Sequence, residues 1–360
     1  MERFLIVRLG ALGDVVHAIP VAAAIRRAYP SARIDWLVSA KHREILDLVS
    51  VVDRRLVIND RPSADADAAA SGNAKPADVQ GTSLWQVVRA LRQNRYDVAI
   101  DLQGLLKSAV LARASGARRV IGFSRRYARE SFASLFYSQS YDAGRGGLYD
   151  PRETRHVVAI NLGLLTLLGI QTDRPAFPID AVESTAARRA CEATGGRYAL
   201  LNPGAAWPNK RWPPERFAAL AAALRDRQHL MSVVLWGPGE ESLARETVAA
   251  AGGAAIATDR TAIADVVALA RGAAVMVSGD TGPTHIAAAV GTPLVGLYGP
   301  TRAVRNGPLL PQDVAVTRDA ICQCHHLRRC KLDRMCLLDI EVAEVLSAVE
   351  RRLAAGPALD

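Results

Sequence analysis

Four short segments carry residue types that could bind a phosphorylated ligand and move a proton. The first, Gly10-Ala-Leu-Gly13-Asp14, directly follows an apolar run. Glycines let a backbone approach a ligand closely, and a helix starting there favours negative charge. Asp14 suits two roles, helix N-cap and general base. The second segment runs from Asn202 to Phe217 (NPGAAWPNKRWPPERF). Its Lys210 is either a solvated lysine or a phosphate-neutralising cation beside a helix start, with Pro213 near the first helical position. The third, Trp236-Gly-Pro-Gly-Glu-Glu241, offers carboxylates that either favour a helix N-terminus or bind ribose hydroxyls. The fourth runs from Ser278 to Pro293 (SGDTGPTHIAAAVGTP). Asp280 and Thr281 are capping types, Gly282 permits close approach, and His285 falls in the first turns of a helix. Backbone N–H groups there suit a pyrophosphate. A capped helix with a core-edge histidine would need fewer of these residues.

A fifth cluster is Cys322, Cys324, Cys330 and Cys336, with His325 and His326 between them. Cysteines and histidines this dense suggest a structural metal. The Cys-x-Cys start and five-residue gaps are not a standard zinc spacing, so reduced thiols are the default reading. With Cys191 the count is odd, which argues against a disulfide framework.

The elements that must position these residues alternate. Strand signals lie at 3–9, 33–38, 56–58, 97–101 and 119–123, with helical periodicity at 14–27, 41–48, 84–92 and 106–113 between them. The helix at 154–168 closes the first half, and 171–178, with two prolines, reads as a linker. Strands at 198–202, 232–236, 275–278 and 294–298 then alternate with helices at 213–226, 240–251, 263–270 and 284–290, before a last helix at 340–354. This pattern predicts two α/β domains with mostly parallel sheets, and ligands at the carboxyl ends of their strands. The stretch 61–81 has no period and reads as a mobile loop, with Asp65-Ala-Asp67 solvated within it.

Length and composition agree with two domains: 360 residues, half of them hydrophobic but only 5% aromatic. The net charge of +9 favours anionic partners. Arg8, Asp14 and His17 interrupt the opening apolar stretch, so it does not read as a secretory signal. Prolines and glycines break the longest uncharged run, at 281–301, so no membrane span is expected. The chain reads as cytoplasmic. Basic runs interleaved with aromatics are missing, which disfavours nucleic acid. The Gly-x-Gly-x-x-Gly fingerprint is missing too, which disfavours a nicotinamide oxidoreductase.

Taken in order, these segments resemble the lipopolysaccharide heptosyltransferases of glycosyltransferase family 9 along nearly the whole chain. Tyr96–Ser108 (YDVAIDLQGLLKS) and Ala128–Tyr137 (ARESFASLFY) add to the likeness, the latter leaning toward heptosyltransferase I. The resemblance implies a GT-B fold, two Rossmann-like domains with a cleft between them. The expected domains are an acceptor-binding 1–175, a nucleotide-sugar-binding 176–338, and a closing helix in 339–360 packing back on the first. It implies ADP-L-glycero-β-D-manno-heptose as donor. The implied acceptor is the 3-deoxy-D-manno-octulosonic acid (Kdo) of lipid A, met at the inner face of the inner membrane. The alternatives are the first core heptose or another acceptor such as a protein.

Residue by residue, Asp14 matches the family's base and Lys210 its phosphate-binding lysine. Glu241 falls at the ribose position. Asp280, Thr281, Gly282 and His285 match the donor-binding turn. Gly13, Arg129 and His156 align with residues near the acceptor's acidic sugars. The implied chemistry is a single displacement with inversion, needing no cofactor. Asp14 takes the hydroxyl proton, and Lys210, His285 and the Thr281–Gly282 backbone stabilise the departing diphosphate. Burial is expected to raise Asp14 above its ordinary pKa of ~3.9. The 61–81 loop departs from the basic loop of heptosyltransferase I enzymes. Arg125, Arg126, Arg129, Arg152 and Arg155 are either the alternative anion-binding set or a solvated basic face.

Overall fold

The computed structural model describes residues 2–59, 79–81, 84–144, 146–172, 174–325, 327–330 and 335–356. The aspartates of the 61–81 stretch and His326 lie outside the described residues. The chain divides after Asp180 into two compact units, five residues beyond the expected boundary. The reason is local. Val49 bridges to Ile179, and the Asp180 N–H donates to the Leu48 carbonyl at 2.8 Å, so the proline-rich stretch belongs to the first unit.

Among the described residues the first unit holds seven parallel strands: β1 (Arg3–Val7), β2 (Arg33–Ser39), β3 (Arg54–Ile58), β4 (Val79–Gly81), β5 (Val98–Asp101), β6 (Arg119–Phe123) and β7 (Gln139–Tyr141). Their order is β4-β3-β2-β1-β5-β6-β7. Its helices are α1 (Leu12–Val16), α2 (Ile19–Ala28), α3 (Leu84–Gln93), α4 (Leu106–Ala114) and α5 (Val157–Gly163). The single helix expected over 14–27 is two. Pro20 stands in the first turn of α2. It has no N–H for the carbonyl four residues back, and its ring clashes there, so the helix breaks before it.

The second unit repeats the plan with β8 (Tyr198–Asn202), β9 (Met231–Val234), β10 (Ala255–Ala257), β11 (Val275–Gly279), β12 (Leu294–Tyr298) and β13 (Val314–Thr317). Its strand order is β10-β9-β8-β11-β12-β13. The helices are α6 (Thr185–Thr194), α7 (Pro214–Gln228), α8 (Glu241–Ala250), α9 (Ile263–Gly272), α10 (Gly282–Ala289), α11 (Ala303–Asn306) and α12 (Val342–Ala354). The class is α/β, and both sheets have the Rossmann-like order. Their central strands are largely apolar and buried, as parallel sheets require, with polar residues such as Asp101, Asn202 and Ser278 at their carboxyl ends.

The closing helix α12 packs in the core of the second unit, where Val345, Leu346, Ala348 and Val349 meet Leu220, Leu224 and Val316. Arg352, 1% exposed, fixes it there by pairing with Asp313 at 2.6 Å. Among the described residues no helix is long and apolar enough to cross a membrane.

In each sheet the strand order reverses once, between β1 and β5 and between β8 and β11. Loops leaving the carboxyl ends of two such strands diverge and leave a crevice, the usual ligand position in open α/β sheets. The Gly10–Asp14 segment leaves β1. The Lys210 segment leaves β8, and the Asp280–His285 segment leaves β11. Topology alone therefore brings the last two together.

Candidate active site

In the first unit the site is built around Asp14, the third residue of α1. It does not occupy the N-cap position, which is Ala11. Its carboxylate reaches back to accept the Ala11 N–H at 3.2 Å, so it still serves the helix start. Both oxygens are also engaged by arginines: Arg8 at 2.8 Å on one, Arg129 at 2.8 Å on the other. Arg8 is buried at the end of β1 and also donates to the Leu102 carbonyl.

Burial alone would raise the Asp14 carboxyl. The charges of Arg8 and Arg129, with His17 behind them, outweigh it and hold the group well below the ordinary carboxylate range. The expected upward shift is thus corrected, because a sequence cannot say that two guanidinium groups close on one carboxylate. The same pairing raises Arg129. Gly13 is buried inside α1. His156 caps α5, its Nδ1 accepting the Val158 N–H at 3.2 Å, and meets His17 edge to face at 5.4 Å. Gly13, Asp14, His17, Arg129 and His156 thus form one neighbourhood.

A buried carboxylate, Asp101 at the end of β5, braces this neighbourhood. It accepts from the Gln103 and Gly104 N–H groups, from Ser108 at 2.8 Å and from Tyr137 at 2.7 Å. Gln103 in turn accepts the Leu9 N–H at 2.7 Å, tying the loop after β5 to the one after β1. Two of the five arginines are engaged locally. Arg152 pairs with Asp150 at 2.7 Å and Arg155 with Glu153 at 2.5 Å, each satisfied by a neighbour two residues away.

In the second unit Asp280 is the hub. Its carboxylate takes the Lys210 ammonium at 2.6 Å on one oxygen and His285 Nε2 at 3.0 Å on the other. Burial would raise this carboxyl as well. The His285 hydrogen bond and the Lys210 charge hold it far below its ordinary value. Lys210 also lies 4.4 Å above the Trp207 ring, a cation–π contact that fixes the ammonium. Gly279 makes the approach possible: a Cβ there would meet the Lys210 carbonyl oxygen at 2.8 Å. Thr281 is the N-cap of α10 but caps nothing with its side chain. Its hydroxyl joins Asn202 at 3.0 Å and Thr284 at 2.9 Å in a network that locks β8 to β11. Gly282 opens α10, with unsatisfied N–H groups at the helix start.

Glu241 does not reach this loop cluster. It is the first residue of α8, half exposed, and pairs with Arg245 one turn on. The carboxylate that does is Glu240. It accepts the Gly237 N–H at 3.1 Å, and a side chain on Gly204 would collide with it.

Sequence reasoning missed Glu240, Arg8 and Asn202. Glu240 stood one residue from the chosen position. Arg8 stood just past an apolar run, a position many arginines take. Asn202, ending β8, had no distinguishing signal.

The cysteines come together in part. Cys324 Sγ lies 3.0 Å from Cys330 Sγ, and Cys322 Sγ accepts the Cys324 N–H at 3.4 Å. With Cys336 and Asp339 they line a cavity of about 80 Å³. Burial, with Cys322 and Cys330 adjacent, pushes the Cys336 thiol up to about 12. Among the described residues no three His, Cys, Asp or Glu side chains are arranged to hold a metal ion.

Comparison with known proteins assigns this architecture. The model of glycosyltransferase family 9 (heptosyltransferase) matches residues 84–335. The chain belongs to that family. It is 29% identical over 338 residues to lipopolysaccharide heptosyltransferase 1 of Pseudomonas aeruginosa, covering 89% of this chain and 85% of that one. It is 29% identical over 301 residues to the Salmonella typhimurium protein of the same name, covering 83% and 89%. The Escherichia coli heptosyltransferase WaaC, solved with ADP, superposes with a TM-score of 0.74 at 24% identity, covering 98% of this chain and 100% of that one. A family 9 glycosyltransferase from Veillonella parvula gives 0.78 at 21% identity, covering 99% and 98%. The fold is GT-B, and the chain is a glycosyltransferase.

Proposed function

We propose that this glycosyltransferase moves L-glycero-D-manno-heptose from ADP-heptose to the Kdo of lipid A in the lipopolysaccharide inner core, with inversion. The observation carrying the reading is the pair of carboxylate–cation clusters at the strand ends, Asp14 with Arg8 and Arg129, and Asp280 with Lys210 and His285. Two curated relatives named heptosyltransferase 1 support donor and pathway. The first unit is assigned the acceptor and the second the donor. Glu240, with Glu241 beside it, is assigned the ribose. The anionic acceptor is lipid-linked, so the enzyme works in the cytoplasm, at a membrane surface.

The step is one displacement. An acceptor hydroxyl oxygen bonds to the anomeric carbon as that carbon's bond to the β-phosphate oxygen breaks, and ADP leaves with the electron pair. Lys210, His285 and the N–H groups opening α10 meet the charge that develops on the diphosphate. No resident cofactor is needed for that, since the neutralising charges belong to the chain.

Asp14 receives the hydroxyl proton. A carboxylate held this low is a weak base, yet the hydroxyl becomes strongly acidic once its oxygen bonds to an electron-poor carbon. An acceptor carboxylate paired with Arg129 would also draw that guanidinium from Asp14 and restore part of its basicity.

The test is purified protein with ADP-heptose and deacylated Kdo-containing lipid A, following ADP release and acceptor mass. One heptosyl unit added to the acceptor is the expected result. ADP release without acceptor gain, or gain only on a heptose-terminated or protein acceptor, would overturn the assignment.

A further inference from the structure

Of the large apolar side chains of the first unit that stand in solvent, five lie on or beside α3 and α4: Trp85 at 82% exposure, Leu135 at 77%, Phe132 at 66%, Leu106 at 43% and Val110 at 40%. They are not scattered. Leu106 and Val110 share the outer face of α4, one turn apart. Phe132 and Leu135 sit three residues apart on the 3₁₀ turn Ser131–Phe136, where such positions eclipse one another. The Glu130 carboxylate, accepting the Leu106 N–H at 2.6 Å, ties that turn to the start of α4. Arg92 Nε donates to the Ala114 carbonyl at 3.1 Å, so the last turns of α3 and α4 meet. Both helices join parallel strands and run the same way, which sets Trp85, near the start of α3, toward the Leu106 end. That end is the carboxyl edge of the sheet, where Arg129 holds Asp14.

Among the described residues the exposed charge around these side chains is mostly positive. Arg89 and Arg92 on α3, Lys107 and Arg113 on α4, and Arg125 and Arg126 beyond β6 are all exposed. Neither helix carries an acid, and Glu130, the acid beside the Ser131–Phe136 turn, is bonded to the start of α4. Aromatic and aliphatic side chains ringed by cations match an anionic lipid surface: apolar groups enter the headgroup layer, and arginine and lysine meet phosphates. A self-interface would press like charges against each other.

We propose that this face of the first unit, formed by α3, α4 and the Ser131–Phe136 turn, binds an anionic phospholipid bilayer and sets the Asp14 neighbourhood at the membrane. The proposal deepens the lipid-linked acceptor reading and rests on it for its purpose, but lipid binding is measurable without any substrate.

The experiment is flotation of the full-length protein with vesicles of phosphatidylcholine alone and of phosphatidylcholine with phosphatidylglycerol. The variants are Phe132→Ser/Leu135→Ser and Lys107→Glu/Arg113→Glu. Wild type should partition onto the anionic vesicles only, and more weakly as salt rises. Each double variant should partition about tenfold less or worse. Both should keep their thermal unfolding profile and full activity on the deacylated acceptor, losing activity on acceptor embedded in vesicles. Wild type that ignores anionic vesicles, or an apolar variant that binds as wild type does, would overturn the proposal. So would wild type that dimerises through this face while the variant stays monomeric. Vesicle binding without transfer to either acceptor form would sink the acceptor assignment and leave the surface standing.

Discussion

Removing the Asp14 carboxylate should have two effects that separate by choice of substitution. Asp14→Ala strips Arg8, a buried guanidinium, of its charge partner and leaves it the Leu102 carbonyl and a second cation nearby. Breaking a buried pair costs about 3–5 kcal/mol. The Asp14 side chain is 23% exposed, so water screens part of the loss and about 2–3 kcal/mol is expected, confined to the first unit. Asp14→Asn keeps an oxygen for one arginine and should cost about 1–2 kcal/mol. Both should lower kcat by about 10²–10⁴, since neither can take the proton. The sign of the pH effect follows from the lowered pKa. Asp14's stabilisation is fully present above its unfolded value of about 3.9 and is lost only as pH falls through the folded one. The wild-type kcat should therefore show no acid limb from Asp14 at neutral pH. The assays are ADP release on the deacylated acceptor and hydrogen exchange of peptides covering β1 and β5. An Asp14→Asn enzyme retaining more than about a tenth of kcat would refute the base assignment. Unchanged exchange in Asp14→Ala would refute the dependence of Arg8 on Asp14.

Other consequences are as direct. Lys210→Met should lower kcat/KM for the donor by about 10²–10³, with donor affinity by calorimetry falling by a smaller factor and kcat carrying the rest; unchanged kcat would remove Lys210 from the developing charge on the diphosphate. Arg352→Met leaves Asp313 buried and unpaired, and should destabilise the second unit by about 3–5 kcal/mol in urea unfolding. Adding Asp313→Leu should recover part of that loss, and equal instability in the double variant would contradict the pairing argument. Iodoacetamide at neutral pH should label exposed Cys191 well before Cys336, whose thiol stays protonated up to about 12. Peptide mass spectrometry showing equal rates would count against the buried thiol.

What the sequence made legible were backbone features with local causes. Glycine- and proline-rich turns after apolar runs marked three of the loops that now hold Asp14, Lys210 and Asp280. The alternation of periods gave both sheets. Pro20 was a local signal too, and a helix drawn through it was avoidable. The misses needed tertiary information. Glu240 and Glu241 are identical residues one apart at a helix start, and about 100° of helical rotation decides which reaches the glycine loops. Arg8 resembles any arginine closing a strand until Asp14 and Arg129 are brought to it.

The two clusters share a logic that bears on catalysis. Each carries cations that an anionic substrate needs, and each already holds a carboxylate between them. A buried cation without a partner would cost several kcal/mol in the empty enzyme, and the resident carboxylate removes that penalty until substrate arrives. The substrate then binds by exchanging partners, so the favourable contact is partly offset and ground-state affinity stays modest. Interactions that strengthen only as charge develops are offset less. Charge on the departing diphosphate grows along the reaction, and so does the acidity of the attacking hydroxyl. On the proposed mechanism Lys210 would be released from Asp280 most fully when the leaving charge is greatest, and Asp14 would be freed of Arg129 when the proton is ready to move. Such an arrangement favours the transition state over the bound ground state, which is what raises kcat.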